Sequence, residues 1–209
     1  MNSIVQWLNE TFASFDASAA AFANSLHHSG AGPFLDILME FFSFFGSSVL
    51  IIPALFLLLF RSSRKQGLTI LLAMLIGALL TNLLLKNLIA RPRPYADAGS
   101  DFFTFWSELG YGELQDTSFP SGHTTAAFAA MTSLFLWNKK SFRWLFFIPA
   151  AAVGFSRIYF CVHYASDVLF GALIGAGAAV IAFYLIRSLL KRTAGTAFSN
   201  FSVLQLFKK

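Results

Sequence analysis

Charged residues are scarce in this sequence. Asp, Glu, Lys and Arg make up 12% of its 209 residues, whereas soluble globular domains contain roughly 25%. Hydrophobic residues make up 56% and aromatic residues 17%. This balance excludes an ordinary soluble domain and predicts an integral membrane protein.

Cysteine is the second scarcity. Cys161 is the single cysteine, which excludes an intramolecular disulfide and any cysteine-based metal site. It lies in an apolar stretch, so we expect a small packed residue. The net charge of +5 could indicate a nucleic-acid partner. The basic residues instead form short clusters between apolar runs, a pattern typical of topology determinants, and no nucleic acid is predicted.

Five apolar stretches are long enough to cross a hydrocarbon core of about 30 Å as helices. They cover about residues 33–60, 67–90, 121–137, 142–160 and 166–190. No internal repeat, low-complexity linker or second domain boundary interrupts the sequence. It therefore predicts an all-α, polytopic helical bundle with five core transmembrane helices, in a single domain over residues 1–209.

The segment before Pro33 has a different pattern. Polar residues such as Asn9 and Asp16 interrupt any continuous apolar run. Apolar residues recur every three or four positions at Ile4, Leu8, Phe12, Phe15, Ala19, Phe22 and Leu26. This periodicity favours an amphipathic helix on the membrane surface, with a sixth span as the alternative. His27 and His28 end the segment and are expected to be ordinary interfacial residues.

Basic residues between the spans predict the orientation. They form clusters after the first, third and fifth spans, at Arg61, Arg64 and Lys65, at Lys139, Lys140 and Arg143, and at Arg187, Lys191, Arg192, Lys208 and Lys209. All three clusters fall on one side of the predicted membrane, which the positive-inside rule makes cytoplasmic. We therefore expect a multi-pass protein of the cell membrane whose opposite face looks toward the periplasm or the extracellular space.

Three polar patches hold nearly every ionisable group close to an apolar run. They are Lys86 with Arg93-Pro94, then Pro120-Ser121-Gly122-His123, and then Ser156-Arg157 with His163 and Asp167. The span count brings all three to the outward face of the membrane. Charges near a bilayer are costly, and such residues are functional candidates. We expect the three patches to form one site.

The first patch suits a phosphate dianion. Arg93 offers planar multidentate donors and Lys86 offers a point charge. Their spacing of seven residues keeps them on one face if a helix persists for two turns, although Pro92 and Pro94 favour an early end. The alternative is that both residues only anchor a helix end.

The second patch is typical of a helix N-terminus that binds an anion. Pro120 suits the first helical position, and Ser121 and Gly122 are expected to leave N–H groups free at the positive end of the helix. His123 beside them would reach a bound phosphoester. A lone histidine at such a place would otherwise be structural.

The third patch contains a histidine–carboxylate pair. His163 and Asp167 are four residues apart and would be within reach on one helical face, where the carboxylate could fix the imidazole tautomer and raise its basicity. A simple helix-end hydrogen bond is the alternative. Gly171 and Gly175 continue this face, and small residues at this spacing let helices approach closely. The face is therefore expected to point into the bundle.

The patches together resemble the signature of the type 2 phosphatidic acid phosphatase superfamily. That signature, K-x6-RP, PSGH and SR-x5-H-x3-D, matches with every spacing intact over residues 86–167. The resemblance implies that His163 is a nucleophile that forms a phosphohistidine, that Asp167 orients it, and that His123 is the general acid. It also implies no metal or other cofactor, and a phosphate-binding shell of Lys86, Arg93, Ser121, Gly122 and Arg157. Many members have glycine where Cys161 stands and proline where Ala165 stands, which leaves the loop before Asp167 open.

The resemblance implies metal-independent hydrolysis of a lipid phosphate or diphosphate at the outer membrane face. Small bacterial members resemble this chain, and undecaprenyl diphosphate is the substrate expected first. Phosphatidylglycerophosphate and phosphatidic acid are the alternative substrates, and a lipid phosphotransferase could use the same site. The expected partners are a membrane lipid and the bilayer, while the oligomeric state is open.

Two features outside the signature have two interpretations each. Arg91 is either an interface anchor or an auxiliary phosphate contact. The loop of residues 95–119 is rich in aromatic residues mixed with acids. It is either an interfacial aromatic belt or a mobile lid over the lipid entrance.

Overall fold

The computed structural model describes residues 2–46 and 48–193, and within these ranges the chain is helical and contains no β-strand. The α-helices are α1 (Ser3–Thr11), α2 (Ala13–His27), α3 (Gly32–Phe45), α4 (Ile51–Leu58), α5 (Arg64–Ala78), α6 (Lys86–Ile89), α7 (Asp101–Leu109), α8 (Gly122–Trp137), α9 (Phe147–Tyr159) and α10 (Ala165–Arg192). Shorter segments are the 3-10 helices Ser48–Leu50, Pro94–Ala96 and Ser141–Phe146 and the π-helix Leu79–Leu85. The predicted all-α class is confirmed for these residues.

Helix α8 contacts α5, α9 and α10 and forms the middle of the bundle. Small side chains fill the interfaces, and Ala73 and Ala129 are among the fully buried ones. On α10, Gly171 and Gly175 face α8 so closely that a Cβ at Gly175 would lie 2.3 Å from the carbonyl oxygen of Thr125. The prediction that this glycine face points into the bundle is therefore confirmed.

The first predicted span, residues 33–60, is interrupted. Helix α3 ends at Phe45, and α4 begins at Ile51 after a short 3-10 helix. Gly46 follows α3, and a Cβ at this position would lie 2.4 Å from Val153 and 3.2 Å from the Cβ of His123. Glycine therefore lets the backbone at the interruption approach a candidate site residue.

The second predicted span, residues 67–90, is helical but irregular. Helix α5 passes into the π-helix Leu79–Leu85 and then into α6. π-Helical segments are rare and frequently occur at functional sites, and here Thr81 and Asn82 of this segment line the cavity described below. Ala90, the residue directly after α6, has a φ of 52° in the left-handed region, and this conformation ends α6.

In the part of the chain that the structure describes, two helical stretches, Arg64–Ala96 and Ala165–Arg192, are long and apolar enough to cross a membrane. The count of five spans stays a prediction. Large apolar side chains such as Phe34, Ile52 and Leu83 are about two-thirds exposed on the outside of the bundle. A broad apolar exterior of this kind is expected where a protein contacts lipid tails.

The N-terminal segment forms two helices, α1 and α2, which meet at Phe12. Both pack against the bundle, and Val5 and Leu8 of α1 are buried in one apolar cluster with Ile89 and Phe119. The structure thus interrupts the single amphipathic helix predicted here. The choice between a surface position and a sixth span stays open.

Asp16 in α2 differs from the prediction. In the sequence it is one of the polar residues that interrupt the apolar run, yet it is only 3% exposed. Its carboxylate is buried because it accepts hydrogen bonds from Ser166 and Arg91. Phe15 and Phe22, which belong to the predicted apolar face, are 48% and 58% exposed, as an apolar face that contacts lipid would be.

Two of the basic clusters lie at one end of the bundle. Lys65, near the start of α5, lies 4.8 Å from the ring centroid of Trp137, the last residue of α8. Trp137 in turn contacts Phe183 in the second half of α10, with ring centroids 4.7 Å apart. The signature patches lie toward the opposite ends of these helices. Which side of the membrane each end faces stays a prediction.

Candidate active site

The three signature patches meet around one cavity of about 570 Å³. The segment at α6, the start of α8 and the connection between α9 and α10 each contribute to its wall. The ionisable side chains that line it are Lys86, Arg93, Asp116, His123, Arg157 and His163. The structure therefore brings together the patches that were expected to form one site.

Lys86 and Arg93 reach the cavity from different backbone conformations. Lys86 is the first residue of α6, whereas Arg93 lies beyond the helix in an extended conformation. A shared helical face therefore does not align them, and the chain ends its helix early, as Pro92 and Pro94 had favoured. Both side chains instead form ion pairs with the carboxylate of Asp116.

Asp116 is a site residue that the sequence did not distinguish from the other acids of its loop. Arg93 Nε also donates to its carbonyl oxygen at 2.9 Å. Burial raises the pKa of Asp116, but the hydrogen bonds and charges of Lys86 and Arg93 outweigh this and hold the pKa at about 2. Because a carboxylate and a phosphate use the same donors, an anion entering the cavity would compete with Asp116 for both cations.

The second patch forms the N-terminus of α8, with Ser121 as the N-cap. Gly122 and His123 line the cavity, at the end of the helix where N–H groups lack intrahelical acceptors. The N–H of Ser121 was predicted to be free, but it donates to the carbonyl oxygen of Asp167 at 3.1 Å. Its Oγ accepts a hydrogen bond from Thr124 Oγ1 at 2.9 Å. Ser121 therefore ties the start of α8 to the first turn of α10.

His163 lies between α9 and α10, with its Nε2 3.1 Å from Arg93 Nη1. A guanidinium can only donate, so Nε2 accepts and a neutral ring carries its proton on Nδ1. The ring is buried, and this burial together with the charges of Arg93 and Arg157 holds the pKa of His163 well below 6.5. The imidazole is therefore neutral at pH 7, with its lone pair on the nitrogen nearest the cations.

Asp167 lies in the first turn of α10, whereas His163 lies outside the helix. Contrary to the prediction, the two residues therefore do not share a helical face. Their closest atoms, His163 Nδ1 and Asp167 Oδ2, are 3.6 Å apart, which is longer than a hydrogen bond. Oδ2 accepts instead from Ser118 Oγ and from the N–H of Tyr164. Ser118 Oγ also lies 3.5 Å from His163 Nδ1, and this serine was missed although it stands beside the second patch.

Arg157 near the end of α9 lines the cavity and is 1% exposed. Its Nη1 donates to Ser43 Oγ and, at 3.1 Å, to Tyr111 Oη. Its Nε is buried and has no hydrogen-bond partner within residues 2–46 and 48–193. A buried donor without an acceptor is costly, and an anion in the cavity would supply one.

Arg91 fits neither of its two interpretations. It is 1% exposed, which is incompatible with an interface anchor, and its guanidinium is occupied by protein groups. It pairs with Asp16 at 3.0 Å and with Asp167 at 2.7 Å, and it lies 3.8 Å from the ring centroid of Tyr164. No local sequence pattern indicates these contacts, because the two aspartates are 151 positions apart.

The aromatic loop of residues 95–119 packs beside the site. Tyr95 stacks on Trp106, and Tyr111 stacks on Phe160, each with ring centroids 4.5 Å apart. Tyr111 thereby places its hydroxyl against Arg157. The belt and the lid both stay predictions.

Cys161 is buried, as expected for a small packed residue. Its φ of 48° lies in the left-handed region, which glycine adopts most easily. The backbone therefore accounts for the glycine that many members of the resembled superfamily have here. Burial also raises the pKa of the Cys161 thiol to about 12, so the thiol stays protonated and unreactive at neutral pH.

Comparison with known proteins places the chain in a family. Residues 66–191 match the PAP2 superfamily. Undecaprenyl-diphosphatase of Sulfolobus acidocaldarius is 32% identical over 143 residues, which cover 68% of this chain and 66% of that protein. Undecaprenyl-diphosphatase BcrC of Bacillus subtilis is 31% identical over 167 residues, which cover 79% of this chain and 80% of that protein. The matched part spans 34% of the length of a bacitracin transport permease protein BcrC of Bacillus licheniformis and 80% of that of the Bacillus subtilis protein.

Two solved structures have a similar fold. Aquifex aeolicus LpxE superposes with a TM-score of 0.66 at 30% identity, covering 80% of this chain and 94% of that chain. A transmembrane PAP2 type phosphatidylglycerolphosphate phosphatase from Bacillus subtilis gives a TM-score of 0.62 at 23% identity, covering 92% and 94%. The family match contains all three patches, and the chain therefore belongs to the PAP2 superfamily.

Proposed function

We propose that this chain hydrolyses the phosphate of a membrane lipid through a phosphohistidine on His163, without a metal ion. The observation that carries the proposal is the single cavity in which His123 and His163 face the same space as three cations. Two histidines beside a cationic anion site supply the nucleophile, the proton donor and the charge stabilisation that phosphoryl transfer needs.

The chemistry has two balanced steps. Nε2 of His163 attacks phosphorus and forms an N–P bond, while the bond from phosphorus to the leaving oxygen breaks and His123 gives that oxygen a proton. Water then attacks the phosphohistidine, His123 takes a proton from it, and the N–P bond breaks to release inorganic phosphate. Asp167 keeps the proton of His163 on Nδ1. Asp167 Oδ2 lies 3.6 Å from that nitrogen. Catalytic hydrogen bonds are often long before substrate binds and shorten in the complex with substrate.

The phosphate-binding shell follows from the same cavity. Lys86, Arg93 and Arg157 would bind the non-bridging oxygens, and the Nε of Arg157 would gain the acceptor that it lacks. Gly122 would add an N–H at the positive end of α8. Ser121 would act through its hydroxyl alone, because its N–H is already bound to Asp167.

The apolar part of the cavity supports a long-chain lipid. It is lined by Ile51 of α4 and by Leu71, Met74 and Leu75 of α5. From Lys86 back to Leu71 the helix rises roughly 22 Å at about 1.5 Å per residue. We propose an isoprenoid diphosphate as the substrate, with undecaprenyl diphosphate as the first candidate, and the names of the Sulfolobus and Bacillus relatives support this choice.

The test is phosphate release by the purified protein in detergent. The panel contains undecaprenyl diphosphate, phosphatidylglycerophosphate, phosphatidic acid and a lipid A 1-phosphate, and we expect the highest kcat/KM for the first. Activity should survive EDTA and be inhibited by vanadate, and His163→Ala should abolish it, while His28→Ala serves as the matched control. Loss of activity in EDTA that a divalent ion restores would refute the metal-free proposal. Transfer of the phosphoryl group to an added alcohol in preference to water would identify a phosphotransferase.

We also propose that the site faces the periplasm or the extracellular space, because the basic loops predict a cytoplasmic position for the other end. Ser62→Cys and Ser141→Cys lie in basic loops, and Ala98→Cys lies in the loop beside the site. All three positions are exposed. In intact cells a membrane-impermeant thiol reagent should label only Ala98→Cys, and Cys161 contributes no background because it is buried. Labelling of the two serine positions with protection of position 98 would reverse the orientation.

A further inference from the structure

A buried polar network connects the N-terminal helix α2 to Asp167. Arg91 Nη2 donates to Asp16 Oδ2 at 3.0 Å, and Arg91 Nη1 donates to Asp167 Oδ1 at 2.7 Å. Ser166 Oγ accepts from Arg91 Nη1 at 2.8 Å and donates to Asp16 Oδ2 at 2.8 Å. All four residues are at most 3% exposed. Asp16 and Asp167 therefore share one guanidinium away from bulk water, and the Ser166 hydroxyl bridges that guanidinium and Asp16.

The start of α10 also depends on Asp16. Ser166 is the second residue of α10, so its N–H has no intrahelical acceptor. That N–H donates to Asp16 Oδ1 at 2.7 Å across 150 positions of sequence. The carboxylate of Asp16 thus acts as a cap, and its charge lies at the favourable positive end of the helix. Both oxygens of Asp16 are bonded within the turn that carries Asp167.

The network divides the work of the Asp167 carboxylate between its two oxygens. Arg91 binds Oδ1. Oδ2 is left to accept from Ser118 Oγ and to lie 3.6 Å from His163 Nδ1. Asp16 and Asn9, the latter at 3.0 Å from Nε, hold the other edges of the Arg91 guanidinium. Without Asp16, the guanidinium would have one carboxylate partner and could bind both oxygens of Asp167 in a bidentate pair. That rearrangement would draw Oδ2 away from His163.

We propose, resting on the roles given to His163 and Asp167 above, that Asp16 and Arg91 are positioning residues for the phosphoryl transfer. They hold Asp167 so that Oδ2 faces Nδ1 of His163. Asp16 lies outside residues 66–191, the part of the chain that matches the PAP2 superfamily. The N-terminal helix α2 is therefore part of the catalytic apparatus of this chain as well as of its fold.

The test compares Asp16→Asn with a matched control, Asp36→Asn. Asp36 binds His27 Nδ1 at 2.9 Å and the hydroxyl of Tyr159, so it also ties α2 to the bundle, but it does not touch Asp167. With a water-soluble isoprenoid diphosphate, Asp16→Asn should lower kcat about 10- to 100-fold with KM unchanged within about twofold, since misplacement by about 1 Å costs on that order. Asp36→Asn should leave both constants unchanged.

Arg91→Lys is the second variant, because it keeps the buried charge but cannot contact both carboxylates with a rigid fork. It should fold and show the same loss of kcat. In an Asp167→Asn background, Asp16→Asn should lower kcat less than about twofold further, because residues that act through one group are not additive. A merely structural role would instead give multiplicative losses that Asp36→Asn reproduces.

The outcomes separate this inference from the function on which it rests. If Asp167→Asn keeps the wild-type kcat, the role of Asp167 fails, and the positioning role fails with it. If Asp167→Asn is impaired while Asp16→Asn and Arg91→Lys turn over at the wild-type rate, only the positioning role is overturned. Losses in both variants that vanish in the Asp167→Asn background support it.

Discussion

Substitution of Gly175 by alanine should separate the two helices that carry the site. Helix α8 brings His123 and helix α10 brings Asp167, and the two helices are in direct contact. A Cβ at Gly175 would lie 2.3 Å from the carbonyl oxygen of Thr125 and 2.9 Å from the nitrogen of Ala129. Both are backbone atoms in the middle of a helix, so neither can rotate away.

The size of the effect follows from these distances. A carbon atom normally stays about 3.3 Å or more from a carbonyl oxygen, so the helices must move apart by roughly 1 Å. Overpacking of this kind typically costs about 1–3 kcal/mol, which corresponds to a fall in Tm of about 2–12 °C for a chain of this size. Misplacement of reacting groups by 1 Å can cost about 100-fold in rate. We therefore expect kcat to fall by up to about 100-fold while Tm falls by only a few degrees.

Gly177→Ala on the same helix is the control, because among the described residues a Cβ at Gly177 would meet no atom within 4 Å beyond its own stretch of helix. Replacing a helical glycine by alanine at such an open position should be neutral or stabilise by up to about 1 kcal/mol. The assay measures Tm and kcat of both variants in the same detergent. If Gly175→Ala matches Gly177→Ala in both quantities, the close approach of α8 and α10 as the basis of the site is refuted.

Three further predictions concern single positions. Ala90→Gly should raise the free energy of unfolding by about 1 kcal/mol, because Ala90 has a φ of 52° and is exposed and a left-handed residue with a Cβ costs about that much; an unchanged or lower Tm would contradict this. Asp116→Asn should tighten vanadate inhibition about 2- to 30-fold, since the carboxylate no longer competes for Lys86 and Arg93 and the two ion pairs, whose carboxylate is 55% exposed, are each worth about 0.2–1 kcal/mol; weaker inhibition would show that Asp116 helps to arrange the cations. Burial and nearby cations hold the pKa of His163 below 6.5, and the nucleophile must be neutral, so the acid limb of the kcat/KM profile should lie below pH 6.5 once ionisation of the substrate is corrected by phosphorus NMR; an acid limb centred above pH 7 would contradict the neutral nucleophile.

The signature residues could be predicted from the sequence because each patch is compact and the helices between the patches are strongly apolar. Parity of the spans was enough to bring Lys86, His123 and His163 to the same end of the bundle. The glycine face of α10 was predictable for the same reason, since the spacing of Gly171 and Gly175 is a property of one helix. These features depend on local periodicity, which a single sequence displays.

The contacts around the site could not be predicted, because they join residues that are distant in the chain. Asp16 had the pattern of a polar residue facing water. Its buried position is explained only by its contacts with the buried Arg91 and with the N–H of Ser166, which has no acceptor within its own helix. Asp116 looked like any acid of an outward loop until Lys86 and Arg93 were placed beside it. Tertiary pairing of charges therefore decided the surroundings of these residues against the local pattern.

Backbone irregularities were also invisible in the sequence. The interruption after Phe45 and the π-helix Leu79–Leu85 occur within runs that are apolar enough to continue as α-helices. Both irregularities occur where the backbone is closely packed, since a Cβ at Gly46 would lie 3.2 Å from His123 and a Cβ at Gly122 would lie 3.2 Å from the π-helical Asn82. Hydropathy reports that a segment is buried in lipid or protein, and it contains no information on such local changes of helical pitch.

Direct trapping tests most simply whether His163 becomes phosphorylated during turnover. The protein is mixed with an isoprenoid diphosphate that has a radiolabelled terminal phosphate and is quenched in alkali, in which phosphohistidine is stable. Peptide mapping should find the label on His163 in the wild-type protein, and no label in His163→Ala. Release of phosphate with label on a different residue, or with no covalent label in a quench series that resolves the first turnover, would show that His163 is not the nucleophile.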